Sequence, residues 1–225
     1  MRRKLLAICL FVTVLSGSFF FLRADADVPP VYDAEQIYER SESAVFYIRV
    51  LYVDDKVQST GTGVLLSPEG IAVTAFHVLK EEGRIMATLY DGRVVGPLEV
   101  VATDEEQDLA VLKLPDPAPE ESPYPMLEIR RNPVKHGEKT FAIGFPFKNT
   151  SIITEGIVST PKVDINGRDR ILTTAQIASG MSGGPLIDKQ GQLIGVISGS
   201  LRTMNNIHLI VSTEALLRLW TPEPK

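Results

Sequence analysis

The chain has 225 residues, 44% of them hydrophobic and 23% charged, a globular profile that excludes a disordered chain. The formal net charge is −5. There is no basic stripe and no basic–aromatic interleaving, so nucleic acid is not an expected partner. The single cysteine, Cys9, excludes a disulfide framework and a thiolate metal site.

The first residues read as an export segment. Arg2, Arg3 and Lys4 precede an apolar stretch, Leu5 to Leu22, and Ala24-Asp25-Ala26 offers a small-x-small cleavage site. The expectation is a signal peptide over 1–26 and a periplasmic or secreted product. The alternative is an uncleaved anchor in the inner membrane. The stretch is 18 residues long, about 27 Å as a helix, close to a membrane span. Cleavage removes four cations and one acid, leaving the mature chain more acidic and unsuited to peripheral binding of anionic lipid.

Ala34 to Ser43 reads as a helix. Short β-like runs then take over: Ala44–Val53, Gly63–Leu66, Ile71–Thr74, Ile85–Tyr90, Val94–Val101 and Leu109–Leu114. Ser67-Pro68-Glu69-Gly70 and Asp91-Gly92 are turn signals between them. Residues 115–125 contain five prolines, a density that cannot sit inside a sheet. They read as a linker. Thr140–Gly144, Ile152–Ser159, Arg170–Gln176, Pro185–Ile187, Leu193–Ser198 and Ile207–Val211 form a second set of strands. Ser212 is placed to cap a last helix, 213–220. With no strand–helix alternation, the predicted class is all-β: two packed six-stranded antiparallel barrels, about 40–114 and 126–212.

Three strings carry candidate chemistry. A serine hydroxyl becomes a useful nucleophile only when a base takes its proton, and an imidazole oriented by a carboxylate suits that task. Ser182 lies in Gly180-Met181-Ser182-Gly183-Gly184-Pro185, His77 ends Val73-Thr74-Ala75-Phe76, and Asp108 opens the apolar run Leu109–Leu114. Taken singly, each has a plain structural role: a tight turn, a strand-end histidine, a strand cap. Together they follow the order His, Asp, Ser of the chymotrypsin class, and not that of subtilisin or the α/β-hydrolases. His77 and Asp108 fall before the proline-rich linker and Ser182 after it, which puts the site between the two units. The N–H groups of Gly180 and Ser182 are the candidate oxyanion hole. His136 reads as surface.

These strings resemble the trypsin-like protease domain of the bacterial HtrA/Deg family. The match includes Gly61-Thr62-Gly63-Val64, Thr74-Ala75-Phe76-His77-Val78, Asp108-Leu109-Ala110-Val111-Leu112-Lys113, Ala142-Ile143-Gly144-Phe145-Pro146-Phe147, Glu155-Gly156-Ile157-Val158-Ser159 and Ser182-Gly183-Gly184-Pro185-Leu186. The resemblance implies a double β-barrel and endopeptidase activity on unfolded or exposed protein segments. It also implies protein or peptide substrates, no cofactor, no metal, and a trimer as one assembly open to the chain. Family members usually carry PDZ modules after this domain. The sequence ends five residues after Trp220, and the expectation is a peptidase domain, 27–225, without such a module. Met181 stands where the family has Asn, and Thr174 where it has Asp.

The implied activity is a serine endopeptidase working through an acyl-enzyme. The alternatives are a catalytically inactive, peptide-binding relative of the same fold, and an esterase. The candidate substrate pocket comprises Gln176, Ile197, Ser198, Gly199, Ser200 and His208. It offers no carboxylate to pair a Lys or Arg side chain, so small or medium apolar side chains are expected there. Met181 cannot pair with a terminal ammonium. Order around the oxyanion hole is therefore expected from two polar, irregular segments, Phe145–Thr154 and Lys162–Arg170.

Overall fold

The computed structural model describes residues 30–80, 83–148, 150–201 and 203–221. The expected signal peptide, residues 1–26, lies outside them. The first helix, α1 (Ala34–Ser41), starts at Asp33, whose carboxylate accepts from the Gln36 N–H while the Gln36 side chain accepts from the Asp33 N–H. This reciprocal cap satisfies two otherwise orphaned donors. The helix is shorter than the predicted 34–43, because a 3₁₀ turn at Glu42–Ala44 leads straight into the first strand.

Seven strands form the first sheet: β1 (Val45–Leu51), β2 (Val57–Leu65), β3 (Ile71–Thr74), β4 (Arg84–Thr88), β5 (Val94–Val95), β6 (Glu99–Asp104) and β7 (Leu109–Lys113). They pair in the order β5-β4-β1-β2-β3-β7-β6, all antiparallel. This half-barrel has one strand more than expected. The run predicted over Val94–Val101 is split in two around Pro97, which has no N–H to give a ladder. Residues 115–125 contain no strand and are fastened to the first unit. Tyr124 N–H donates to the Pro68 carbonyl and Tyr124 Oη to that of Pro115, while Leu127 N–H reaches the Leu65 carbonyl.

The second unit is a closed barrel in the order β10-β13-β12-β11-β8-β9. Its strands are β8 (Lys139–Phe147), β9 (Thr150–Ile165), β10 (Arg168–Thr173), β11 (Pro185–Asp188), β12 (Leu193–Ser200) and β13 (His208–Ser212). Helix α2 (Thr213–Leu219) follows, capped by Ser212. The fold is chymotrypsin-like: a half-barrel and a closed barrel, then a short C-terminal helix.

The two segments expected to be irregular are strand hairpins. Phe145–Thr154 spans the β8–β9 turn and Lys162–Arg170 the β9–β10 turn, and Arg168, Asp169 and Arg170 pair with Ile165, Asp164 and Val163. The polar composition reflects half-exposed strands, where only one face needs to be apolar.

One core cluster runs through both units. It joins Val45, Phe46, Val73 and Leu112 of the first sheet to Phe141, Ile187, Val196 and Val211 of the barrel and Leu216 of α2. A second cluster, including Ala142, Met181, Ile194 and Ile210, fills the barrel itself. The rings of Tyr47 and Phe145 meet across the junction, 6.0 Å between centroids.

Candidate active site

His77 lies in a one-turn 3₁₀ helix, Phe76–Val78, directly after β3. Asp108 closes the β6–β7 turn. Its φ of +65° is left-handed, a conformation more accessible to Asp and Asn than to most side chains. The turn is held by Asp104, whose carboxylate accepts from the Gln107 N–H at 2.8 Å. This geometry aims the Asp108 carboxylate at His77 from two sides. Oδ1 accepts from the His77 backbone N–H at 2.9 Å, and both carboxylate oxygens lie near His77 Nδ1, at 3.0 and 2.9 Å.

A third partner comes from the other unit. Ser198 Oγ, on β12, donates to Asp108 Oδ2 at 2.5 Å. Asp108 is 7% exposed. Burial alone raises a carboxyl pKa, yet the hydrogen bonds from His77 and Ser198 outweigh it and hold Asp108 below the ordinary value. An ionised Asp108 keeps the proton on His77 Nδ1, which leaves Nε2 free as a base.

Ser182 sits in the turn before β11. Gly180 and Gly183 both have left-handed backbones, φ +93° and +85°. A methyl group at Gly183 would overlap Thr74 Oγ1 and the Thr62 carbonyl, so that position requires glycine. Met181, fully buried, anchors the turn from below, and its sulfur accepts from the Ala178 N–H. Among the described residues, the N–H groups of Gly180 and Ser182 donate to no acceptor. Such free, fixed donors are what an oxyanion requires.

Thr62, on β2, ties this turn to the first unit. Its N–H donates to the Ser182 carbonyl at 2.8 Å, its hydroxyl donates to the Gly180 carbonyl at 2.8 Å, and the same oxygen accepts from the Phe145 N–H. Gly61 beside it leaves room for Val78 and for the Ser182 carbonyl. A circuit results. The Ser182–Gly183 turn binds Ile197 through Gly183 N–H (2.7 Å), and the next residue, Ser198, holds Asp108. Asp108 holds His77, and the adjoining Val78 packs over Gly61 beside Ser182. The hydroxyl of Ser182 forms no hydrogen bond to His77. In substrate-free sites such a contact commonly tightens only when substrate is present.

The pocket candidates take different places. Ile197 is fully buried in the barrel core, and the Ser198 hydroxyl is committed to Asp108. Gln176 is exposed. Gly199 faces open space, while Ser200 Oγ and His208 Nδ1 lie 2.8 Å apart. His136 is exposed, with its Nδ1 near the Ser159 carbonyl. Among the described residues, no group of three or more His, Cys, Asp or Glu side chains is arranged to hold a metal.

Three contributions were not legible from sequence: Thr62, the hydroxyl of Ser198 on Asp108, and Arg170. Arg170, on β10 and 3% exposed, reaches across to the β6–β7 turn. Its Nη2 donates to the Gln107 carbonyl at 3.2 Å, and its Nη1 to the Gln107 side chain at 3.3 Å. Burial lowers its pKa, and the nearby Asp108 charge opposes that. The partners stand 63 and 90 positions apart along the chain, so no local pattern signals them.

The family profile described as trypsin-like peptidase domain matches residues 61–196, a span that includes His77, Asp108 and Ser182. The chain belongs to the trypsin-like peptidase family. It is similar to the serine endoprotease DegS of Escherichia coli K12, 35% identical over 156 residues, which are 67% of this chain and 42% of the relative. A DegP-like periplasmic serine endoprotease of Chlamydia pneumoniae is 38% identical over 149 residues, 62% of this chain and 29% of that one. The match thus spans less than half the length of these curated relatives. The crystal structure of a serine endoprotease from Yersinia pestis superposes with a TM-score of 0.71 at 27% identity, covering 85% of this chain and 66% of that one.

Proposed function

We propose that this trypsin-like peptidase is an active serine endopeptidase that cuts exported or unfolded proteins, with Ser182 as nucleophile. His77 takes the hydroxyl proton as Ser182 attacks the scissile carbonyl, then returns it to the leaving amine. Asp108 fixes the His77 tautomer and stabilises the imidazolium that forms. The tetrahedral oxyanion is received by the N–H groups of Gly180 and Ser182, and water then hydrolyses the acyl-enzyme. The observation that carries this reading is the Asp108 carboxylate, buried, ionised and hydrogen-bonded to His77 and Ser198 together. A binding module has no need of such an arrangement. The periplasmic relative supports an exported location, in line with a leader over residues 1–26.

The test is cleavage of unfolded casein, with fragments read by mass. Ser182→Ala should fold like the parent and lose activity on the order of 10⁴-fold or more. His77→Ala should do similar damage, and the double variant should be no worse than either. Undiminished cleavage by Ser182→Ala would refute the assignment. Absence of cleavage by the parent chain, with no labelling of Ser182 by a fluorophosphonate, would favour the inactive, peptide-binding relative.

A further inference from the structure

The second unit holds a buried imidazole that the reaction above does not use. His208 opens β13 opposite Ser200, the last residue of β12. It is 6% exposed. Its Nδ1 is engaged by Ser200 Oγ at 2.8 Å, while its Nε2 is buried with no hydrogen-bond partner. A phenylalanine ring would fill this place without orphaning a nitrogen, and an unpaired buried polar atom is costly to a fold. An atom of this kind calls for a partner that arrives from outside.

The surroundings indicate where that partner enters. Ser200 lies two residues beyond Ser198 on the same strand, and Ser198 holds Asp108. Between them, Gly199 has no heavy atom within 4 Å of where a Cβ would stand, so the strand borders open space there. Ser200 itself is exposed. The hydrogen-bonded pair thus runs from an exposed serine beside the candidate site to a ring buried behind it.

We propose that His208 sets the cleavage specificity: its free Nε2 meets the substrate side chain that precedes the scissile bond, and the side chain it takes is a carboxamide, glutamine or asparagine. This rests on the peptidase reading above. The chemistry follows from the tautomers. If Ser200 donates to Nδ1, Nε2 carries the proton and requires an acceptor. If Nδ1 donates to Ser200, Nε2 requires a donor. A carboxamide presents both on one planar head, whereas an aliphatic side chain presents neither. A carboxylate only accepts, and it would bring a charge into a desolvated place beside a neutral ring. Burial lowers the His208 pKa and so favours that neutral ring. The apolar preference expected from sequence considered only the missing carboxylate and not this nitrogen.

The experiment profiles the full chain on a peptide library varied at the residue before the scissile bond. Glutamine should exceed matched leucine and glutamate by about tenfold or more in kcat/KM, the worth of one buried hydrogen bond. In His208→Phe the ratio of glutamine to leucine should fall to about one or below. Ser200→Ala, which leaves the ring in place, should narrow it. A parent preference for leucine, valine, lysine or glutamate would overturn the proposal, as would a ratio unmoved by His208→Phe. A chain that cuts no peptide and resists the fluorophosphonate sinks the peptidase reading separately. Calorimetry on the Ser182→Ala chain then judges His208 alone, using peptides ending in glutamine or leucine. Tighter binding of the glutamine peptide sustains the site, and equal binding ends it.

Discussion

At Asp108, burial and hydrogen bonding act in opposite directions, and hydrogen bonding prevails. Three donors converge on the carboxylate: His77 N–H, His77 Nδ1 and Ser198 Oγ. The native pKa therefore lies below the ordinary carboxylate value, near which an unfolded chain titrates, at about 3.9. Between those two values the unfolded state binds more protons than the native state. Asp108 thus contributes stability that is complete above the ordinary value and is lost as pH falls through the depressed one. Urea unfolding between about pH 2 and 6 should show a steeper acid-side loss for the parent than for Asp108→Asn. Parallel profiles would mean that burial cancels the donors.

At the element scale, the two segments expected to be irregular are hairpins, and the second of them reaches the Asp108 turn. The β9–β10 hairpin carries Arg170 inward at its end, where it grips both the carbonyl and the side chain of Gln107, the residue before Asp108. The left-handed Asp108 is thereby held from the opposite barrel. Arg170→Met keeps the buried stem and removes these donors. The expected result is a fall of about tenfold in kcat with KM little changed, since Arg170 acts through Asp108 and touches no substrate. Stability should drop by about 1–3 kcal/mol, because Gln107 loses its partners in a part-buried place. A loss of stability with kcat intact would leave Arg170 a purely structural residue.

The whole molecule shares its core. The main apolar cluster takes residues from the half-barrel, the barrel and α2 without a break at the proline-rich segment. Thr62 adds polar ties between the units, and Tyr38 on α1 shares a hydrogen bond with Ser151 on β9, 2.7 Å. Neither half keeps its apolar surface covered without the other. Denaturant unfolding should therefore give one transition, coincident by Trp220 fluorescence and by far-ultraviolet circular dichroism. Two separated transitions would show that the barrels stand alone and that the site forms only when they dock.

The sequence by itself determined much of this protein. The β content, the two-unit plan, most strand positions and the capped final helix are local matters of alternation, turn residues and caps. His77, Asp108 and Ser182 stood out as candidates for the same reason, since each lies in a short string with its own turn chemistry. The tertiary structure decided what depends on distant neighbours. It set the seventh strand, made hairpins of two polar segments, turned Ser198 toward Asp108 and brought Arg170 to Gln107. It also made Thr62 the knot between the units and left His208 with one nitrogen unpaired. Hydrogen bonds between residues 60 to 120 positions apart leave no periodic trace in the chain. They exist only once the common core has fixed the two barrels against each other.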